Sequence, residues 1–181
     1  YTLTASATGL TGATSTTFDV SGGVPAQLTI VQQPSSTSGG VAITPAITVE
    51  IRDALNNLVP TATNTVTVAI GSNPSAGALS GTQSVAAVGG VATFNTLSIN
   101  NAGAAYTLVF SSAGLTAATS ATFDITAGPA TVLGFTTQPP ASAVFQSPFV
   151  TAVTARDAGG NVATSYTGAV TLGIGSNPAG G

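Results

Sequence analysis

All the formal charge of this 181-residue chain sits on five carboxylates and two guanidinium groups: Asp19, Glu50, Asp53, Asp124 and Asp157, with Arg52 and Arg156. There is no Cys, His, Met, Trp or Lys. Paired carboxylates could hydrolyse a glycosidic bond, provided the two face each other across a cleft. The spacing sets up no such pair. Asp53 falls in a turn sequence, Arg52-Asp53-Ala54-Leu55-Asn56-Asn57, and Asp124 close to a Gly128-Pro129-Ala130 junction. An Asp in that turn is expected to accept hydrogen bonds from its own backbone. Without His, Cys or Lys, the chain has no imidazole base, thiolate nucleophile, Schiff-base amine or soft metal ligand. Disulfides are excluded in any compartment. These residues predict a protein that is not an enzyme.

Calcium is the alternative use of the acids, because hard cations take oxygen ligands from Asp, Asn and backbone carbonyls. Asp19 and Asp124, each near a junction, are the candidates, and a cation there would clamp one domain to the next. One carboxylate per junction is few ligands for such a site, and no other cofactor is indicated. Arg52 and Arg156 recur at equivalent places. Their stems are expected to cover apolar surface, with the heads contacting Asp53 or a neighbouring domain. The segments AIGSNPSAG (69–77) and GIGSNPAGG (173–181) place Gly near Ser as a phosphate cradle would. No Lys and no helical pattern comes after them, so they read as turns. A nucleic-acid partner is excluded by the lack of clustered Lys and Arg.

Carbohydrate platforms use exposed aromatic faces. Only Tyr166, Phe145 and Phe149 remain for one once the other rings are assigned to the core. Lys–Asn isopeptide bonds are impossible here. A Thr–Gln ester through Gln33 or Gln83 is open, but nothing singles it out. No Asn-x-Ser/Thr sequon occurs, and exposed Ser and Thr leave O-glycosylation open. No run of about 18 apolar residues is available for a transmembrane helix.

These residues recur. YTLTASATGLTGATSTTFDV (1–20) returns as YTLVFSSAGLTAATSATFDI (106–125), identical at thirteen of twenty positions and 105 residues on. PAQLTIVQQP returns from Pro129, and the Arg-Asp turn returns at Arg156-Asp157, 104 residues on. A period of about 104 residues is that of one sandwich domain. The chain therefore reads as the C-terminal strands of a preceding repeat (1–24), a complete repeat (25–128) and the N-terminal half of a following one (129–181). The end pieces lack a counterpart of Ala78–Ala105, so they cannot together close a sandwich. Tyr1 opens inside a strand, and the sequence is expected to continue before it.

Seven strands are predicted in the complete repeat: 27–33, 46–53, 65–71, 83–88, 91–99, 105–112 and 116–126. Ile47, Val49 and Ile51 alternate with Thr48, Glu50 and Arg52, as do Val66, Val68 and Ile70 with Thr65, Thr67 and Ala69. One face of each strand is thus apolar and the other polar. Seven such strands with Gly and Asn at the joints predict an all-β, two-sheet antiparallel sandwich.

The succession QQP, VEIRDALNN, AIGSNP, GVATF, NNAGAAYTL and GLTAATSATFDI resembles the bacterial Ig-like tandem repeats of large cell-surface proteins. The resemblance covers the whole chain and implies tandem immunoglobulin-like sandwiches of the cysteine-free kind. It further implies an extracellular or cell-surface structural role, as a filament or stalk or as an adhesin shaft carrying a separate tip. The implied partners are neighbouring repeats of the same chain and other copies associating into filaments. Tyr106, just after Gly103, is similar in placement to a tyrosine corner, and Tyr1 is its counterpart in the preceding repeat.

Overall fold

Branched Val, Ile and Thr favour extended backbone, and among the described residues every regular element is a β-strand. The fold is that of a computed structural model in which residues 1–20, 22–144 and 146–176 are described. The chain divides into two compact units, Tyr1–Thr126 and Ala127–Gly181. The sequence places repeat junctions after Val24 and Gly128.

In the first unit, β1 (Thr4–Ala5) and β2 (Ala13–Thr14) pair as a hairpin. Then come β3 (Gln27–Gln32), β4 (Thr37–Ser38), β5 (Ile47–Arg52), β6 (Thr65–Ile70) and β7 (Leu79–Ser80). They are followed by β8 (Ser84–Ala86), β9 (Val91–Phe94), β10 (Ser98–Ile99) and β11 (Gly103–Tyr106). The last three are β12 (Leu108–Ser111), β13 (Ala118–Thr119) and β14 (Phe123–Thr126). Hydrogen bonding joins them as β3-β5-β9, β13-β12-β6-β8, β11-β14-β4 and β10-β7.

The predicted alternation positions the core. Ile47, Val49 and Ile51 of β5 are buried, with Val66 and Val68 of β6 and Leu108 and Phe110 of β12. Phe94 of β9 and Phe110 of β12, from different sheets, meet with ring centroids 5.3 Å apart. That contact ties two layers of an all-β sandwich.

Three predicted strands are interrupted. The stretch 105–112 is two strands in two sheets: Tyr106 pairs with Phe123 of β14, while Leu108 pairs with Ile70 of β6. Ala105 has a φ of 64°, and the register of β11 against β14 shifts between Gly103 and Tyr106. Such a bulge bends a strand and re-aims the residues beyond it. Thr107 at the crossing accepts the Ser72 amide on its hydroxyl and the Gly71 amide on its carbonyl. Likewise 116–126 divides around Ser120, and 91–99 divides into β9 and β10. Between these strands the pairing is antiparallel except at β14 and β4, which run parallel, and an isolated parallel bridge joins Gln27 to Thr116. The two-residue strands β4 and β7 were below what alternation alone could indicate.

In the second unit, β15 (Val132–Thr137) and β16 (Ala152–Arg156) form an antiparallel pair. Its register matches that of β3 with β5: Leu133 faces Ala155 as Leu28 faces Ile51. Leu28 is 5 % exposed and Leu133 is 50 %.

Candidate functional site at the Arg-Asp turns

Asp53 directly follows β5, in a five-residue turn whose backbone closes on itself. The Asp53 amide donates to the Asn57 carbonyl, and the Asn56 amide to the Asp53 carbonyl. Asn56 takes a φ of 66°, which Asn tolerates better than most side chains. The carboxylate works inside this turn: Oδ1 accepts the amides of Leu55 at 2.9 Å and Asn57 at 2.8 Å. The Asn57 side-chain amide also donates to Oδ2 at 3.1 Å.

Oδ2 also accepts the amide of Gly23, thirty residues earlier, at 2.8 Å. The carboxylate that shapes the turn therefore also grips the chain entering β3. This grip is the main lowering influence on Asp53, ahead of the Asn57 amide, and together the donors bring its pKa from 3.8 to about 2. A Cβ on Gly23 would sit 3.3 Å from that oxygen. One on Gly22 would collide with the Leu58 carbonyl, so glycine is what lets the entering chain lie so close there.

The second unit repeats the arrangement. Asp157 Oδ1 accepts the amides of Gly159 and Asn161, at 2.9 and 2.8 Å. Asp157 Oδ2 accepts the Gly128 amide at 2.8 Å and the Asn161 side-chain amide at 3.0 Å. Burial pushes this carboxyl up, but the donors from Gly128, Asn161 and Gly159 outweigh it and leave it below its usual range. Gly160, at a φ of 86°, stands where Asn56 stands in the first turn. The next bond along is also kept: the Ala26 amide donates to the Arg52 carbonyl, and the Thr131 amide to the Arg156 carbonyl. In space the entering segments thus correspond at a spacing of 105, not the 104 that aligns Pro25 with Pro129. The proline moves by one position and the grip on the glycine amide is unchanged.

The arginines do not contact these carboxylates as expected. Arg52 pairs with Glu50, Nη2 to Oε2 at 2.6 Å, and Nη1 donates to the Asn56 carbonyl at 2.9 Å. Arg156 donates through Nη1 to the Gly160 carbonyl at 2.6 Å. The carboxylates are surrounded by N–H donors instead, and each guanidinium braces the far side of its turn.

Tyr106 is fully buried, and its hydroxyl donates to the Asn101 carbonyl at 2.8 Å. Gly77 and Gly103 leave room for the ring: a Cβ on either would lie within 3.2 Å of it or its hydroxyl. Tyr1 lies exposed against Phe18. Asp124 Oδ1 accepts the Ala105 amide at 2.9 Å, steadying the bulge, and Asp19 is exposed. Among the described residues, no three His, Cys, Asp or Glu side chains gather as a metal site would require. The Ser72-Asn73-Pro74 loop is held by bonds within itself and to Thr107 and Asn101. Asn73 accepts the Gly77 amide and donates to the Gly77 carbonyl, and Asn101 donates to the Ser75 carbonyl. In the second copy of that loop, 177–181 lie outside the described residues, as does Phe145. Phe149 lines an apolar cleft of about 360 Å³ with Phe135, Pro139, Leu172 and Ile174, while Tyr166 lies elsewhere in the unit. Among the described residues, no helix is long and apolar enough to cross a membrane.

The grip on Gly23 and Gly128 is the feature that sequence reasoning missed. Its available signal was a glycine recurring just before both Pro-Ala steps.

No protein-family model and no curated protein matches the chain. Among solved structures it is similar to a beta-glycosidase from Bacteroides vulgatus, at 18% identity and a TM-score of 0.44 over 54% of this chain. It is also similar to a beta-glucuronidase from Parabacteroides merdae, at 15% identity and a TM-score of 0.37 over 60%. The same enzyme with glycerol in its active site scores 0.36 at 15% identity, again over 60%. Each match spans 14% of the other chain, and likeness at this level carries no argument about function.

Proposed function

We propose that the chain is a structural, non-catalytic part of an extracellular filament or stalk built from head-to-tail Ig-like repeats. The observation that carries this reading is the recurrence of the Arg-Asp turn with its grip on the entering chain, donor for donor, in both units. An active site has no need of two copies a domain length apart, whereas a shaft needs the same joint at every repeat. The polar outward faces of the strands and the near absence of charge are compatible with close packing of such shafts into filaments.

The alternative is the shaft of a surface adhesin that presents a separate ligand-binding tip, for instance one for carbohydrate. The two differ in the rest of the molecule: an adhesin carries a tip domain of different composition, and a filament orders one chain against the next. Electron microscopy of the native surface material tests both. Ordered fibres with a regular axial repeat are expected; dispersed, freely bending strings overturn the filament reading, and isolated stalks ending in a distinct head favour the adhesin.

A further inference from the structure

We propose that Asp53 and Asp157 are positioning residues that lock the segments leading into β3 and β15 onto the β3-β5 and β15-β16 strand pairs, so that each segment is ordered by a carboxylate rather than by apolar packing. The observations are geometric. Each carboxylate receives a complete ring of N–H donors, of which three come from its own turn and one from the entering glycine. A turn cap alone would need only the first three. The segment entering β3 offers little apolar anchorage: Gly22 and Gly23 have no side chain, and Val24 is exposed. The grip also survives the one-position shift of the proline, so it does not depend on the local sequence around the glycine. A charge-assisted hydrogen bond to a backbone amide is about twice as strong as a neutral one.

Acid should open the lock. The charged groups around Asp53 are Arg52 and Glu50 on its own strand, and these pair with each other. From β3, Gln27 presents an uncharged amide that donates to the Asp53 carbonyl. The entering segment brings no charge. Held at about 2, the Asp53 carboxyl keeps its grip above pH 4 and loses it as the pH falls through 2. The Asp157 carboxyl, also lowered, behaves in the same direction.

The test is backbone NMR of the full 181-residue chain, wild type against Asp53→Asn and Asp157→Asn. Protection of the Gly23 or Gly128 amide from exchange is expected to fall roughly 10- to 100-fold, the measure of one charged hydrogen bond. The Leu108 amide, deep in the sandwich, should be unchanged. A carboxylate that serves only its own turn would loosen Leu55 and Asn57 and leave Gly23 ordered, which overturns the proposal. Should a variant fail to fold, relaxation of wild-type Gly23 between pH 6 and pH 1.5 decides: order lost before the core loosens supports the lock, and order kept until global unfolding refutes it. The inference rests on the repeat reading only for its role at a joint. Fibres without the lock, or the lock without fibres, would separate the two failures.

Discussion

The hairpin at residues 1–20 and the stretch 106–125 carry nearly the same sequence and the same local geometry, yet they end in opposite environments. Thr4 faces Thr14 and Ala5 faces Ala13, as Val109 faces Thr119 and Phe110 faces Ala118. The Leu3 amide donates to Ser15 Oγ at 2.9 Å, and the Leu108 amide to Ser120 Oγ at the same distance. The rings of Tyr1 and Phe18 lie 6.0 Å apart, and those of Tyr106 and Phe123 lie 6.2 Å apart. Yet Tyr1 is 74 % exposed where Tyr106 is 0 %, and Phe18 is 42 % exposed where Phe123 is 3 %. Strand pairing and turn chemistry are therefore local properties of these twenty residues. Burial is supplied by the β6 and β4 strands that flank only the second copy.

The sharpest way to break this comparison is to remove the same ring from each copy. Phe123→Ala should cost about 3–5 kcal/mol of stability in urea unfolding, because it empties a packed core position. Phe18→Ala should stay within about 0.5 kcal/mol, as for a surface change. Similar losses in both would mean that the first hairpin is packed as tightly as the second.

The serines give a middle-sized effect. Ser120→Ala strands the Leu108 amide in the interior and should cost about 1–3 kcal/mol in the same measurement. At Ser15→Ala, water can replace the lost acceptor, and little change is expected.

The smallest effect should be the one the two copies share. Gly9 and Gly114 take φ values of 81° and 76°, with open space around each. Alanine at either site is strained by the backbone alone, by about 1 kcal/mol. NMR of the turn amides in Gly9→Ala and Gly114→Ala should show comparable loosening. An effect confined to Gly114 would mean that the tertiary setting governs this turn too.

Much of the fold was legible because period-two alternation reports which face of a strand is buried. Ile47, Val49 and Ile51 needed no further information. The switch of sheets at Thr107 was not legible, because Tyr106, Leu108 and Phe110 alternate without interruption across it. What marks the crossing is the φ of Ala105 and the two amides that Thr107 accepts, and both depend on where β6 ends. At the Arg-Asp turn, the bonds from Leu55 and Asn57 to Asp53 arise between sequence neighbours and were anticipated. The bond from Gly23 spans thirty residues and was not.

The sequence by itself determined most of the extended stretches, their polar and apolar faces, the turns at Gly and Asn, and the lack of thiol, imidazole and lysine side chains. All of these depend on side-chain type and on contacts within a few residues. Only the tertiary structure decided which strand joins which sheet, which copy of the hairpin is buried, and that the carboxylates reach the entering chain. Each of those depends on segments brought together from far apart, where the partner is set by the packing of the whole unit and no local pattern records it.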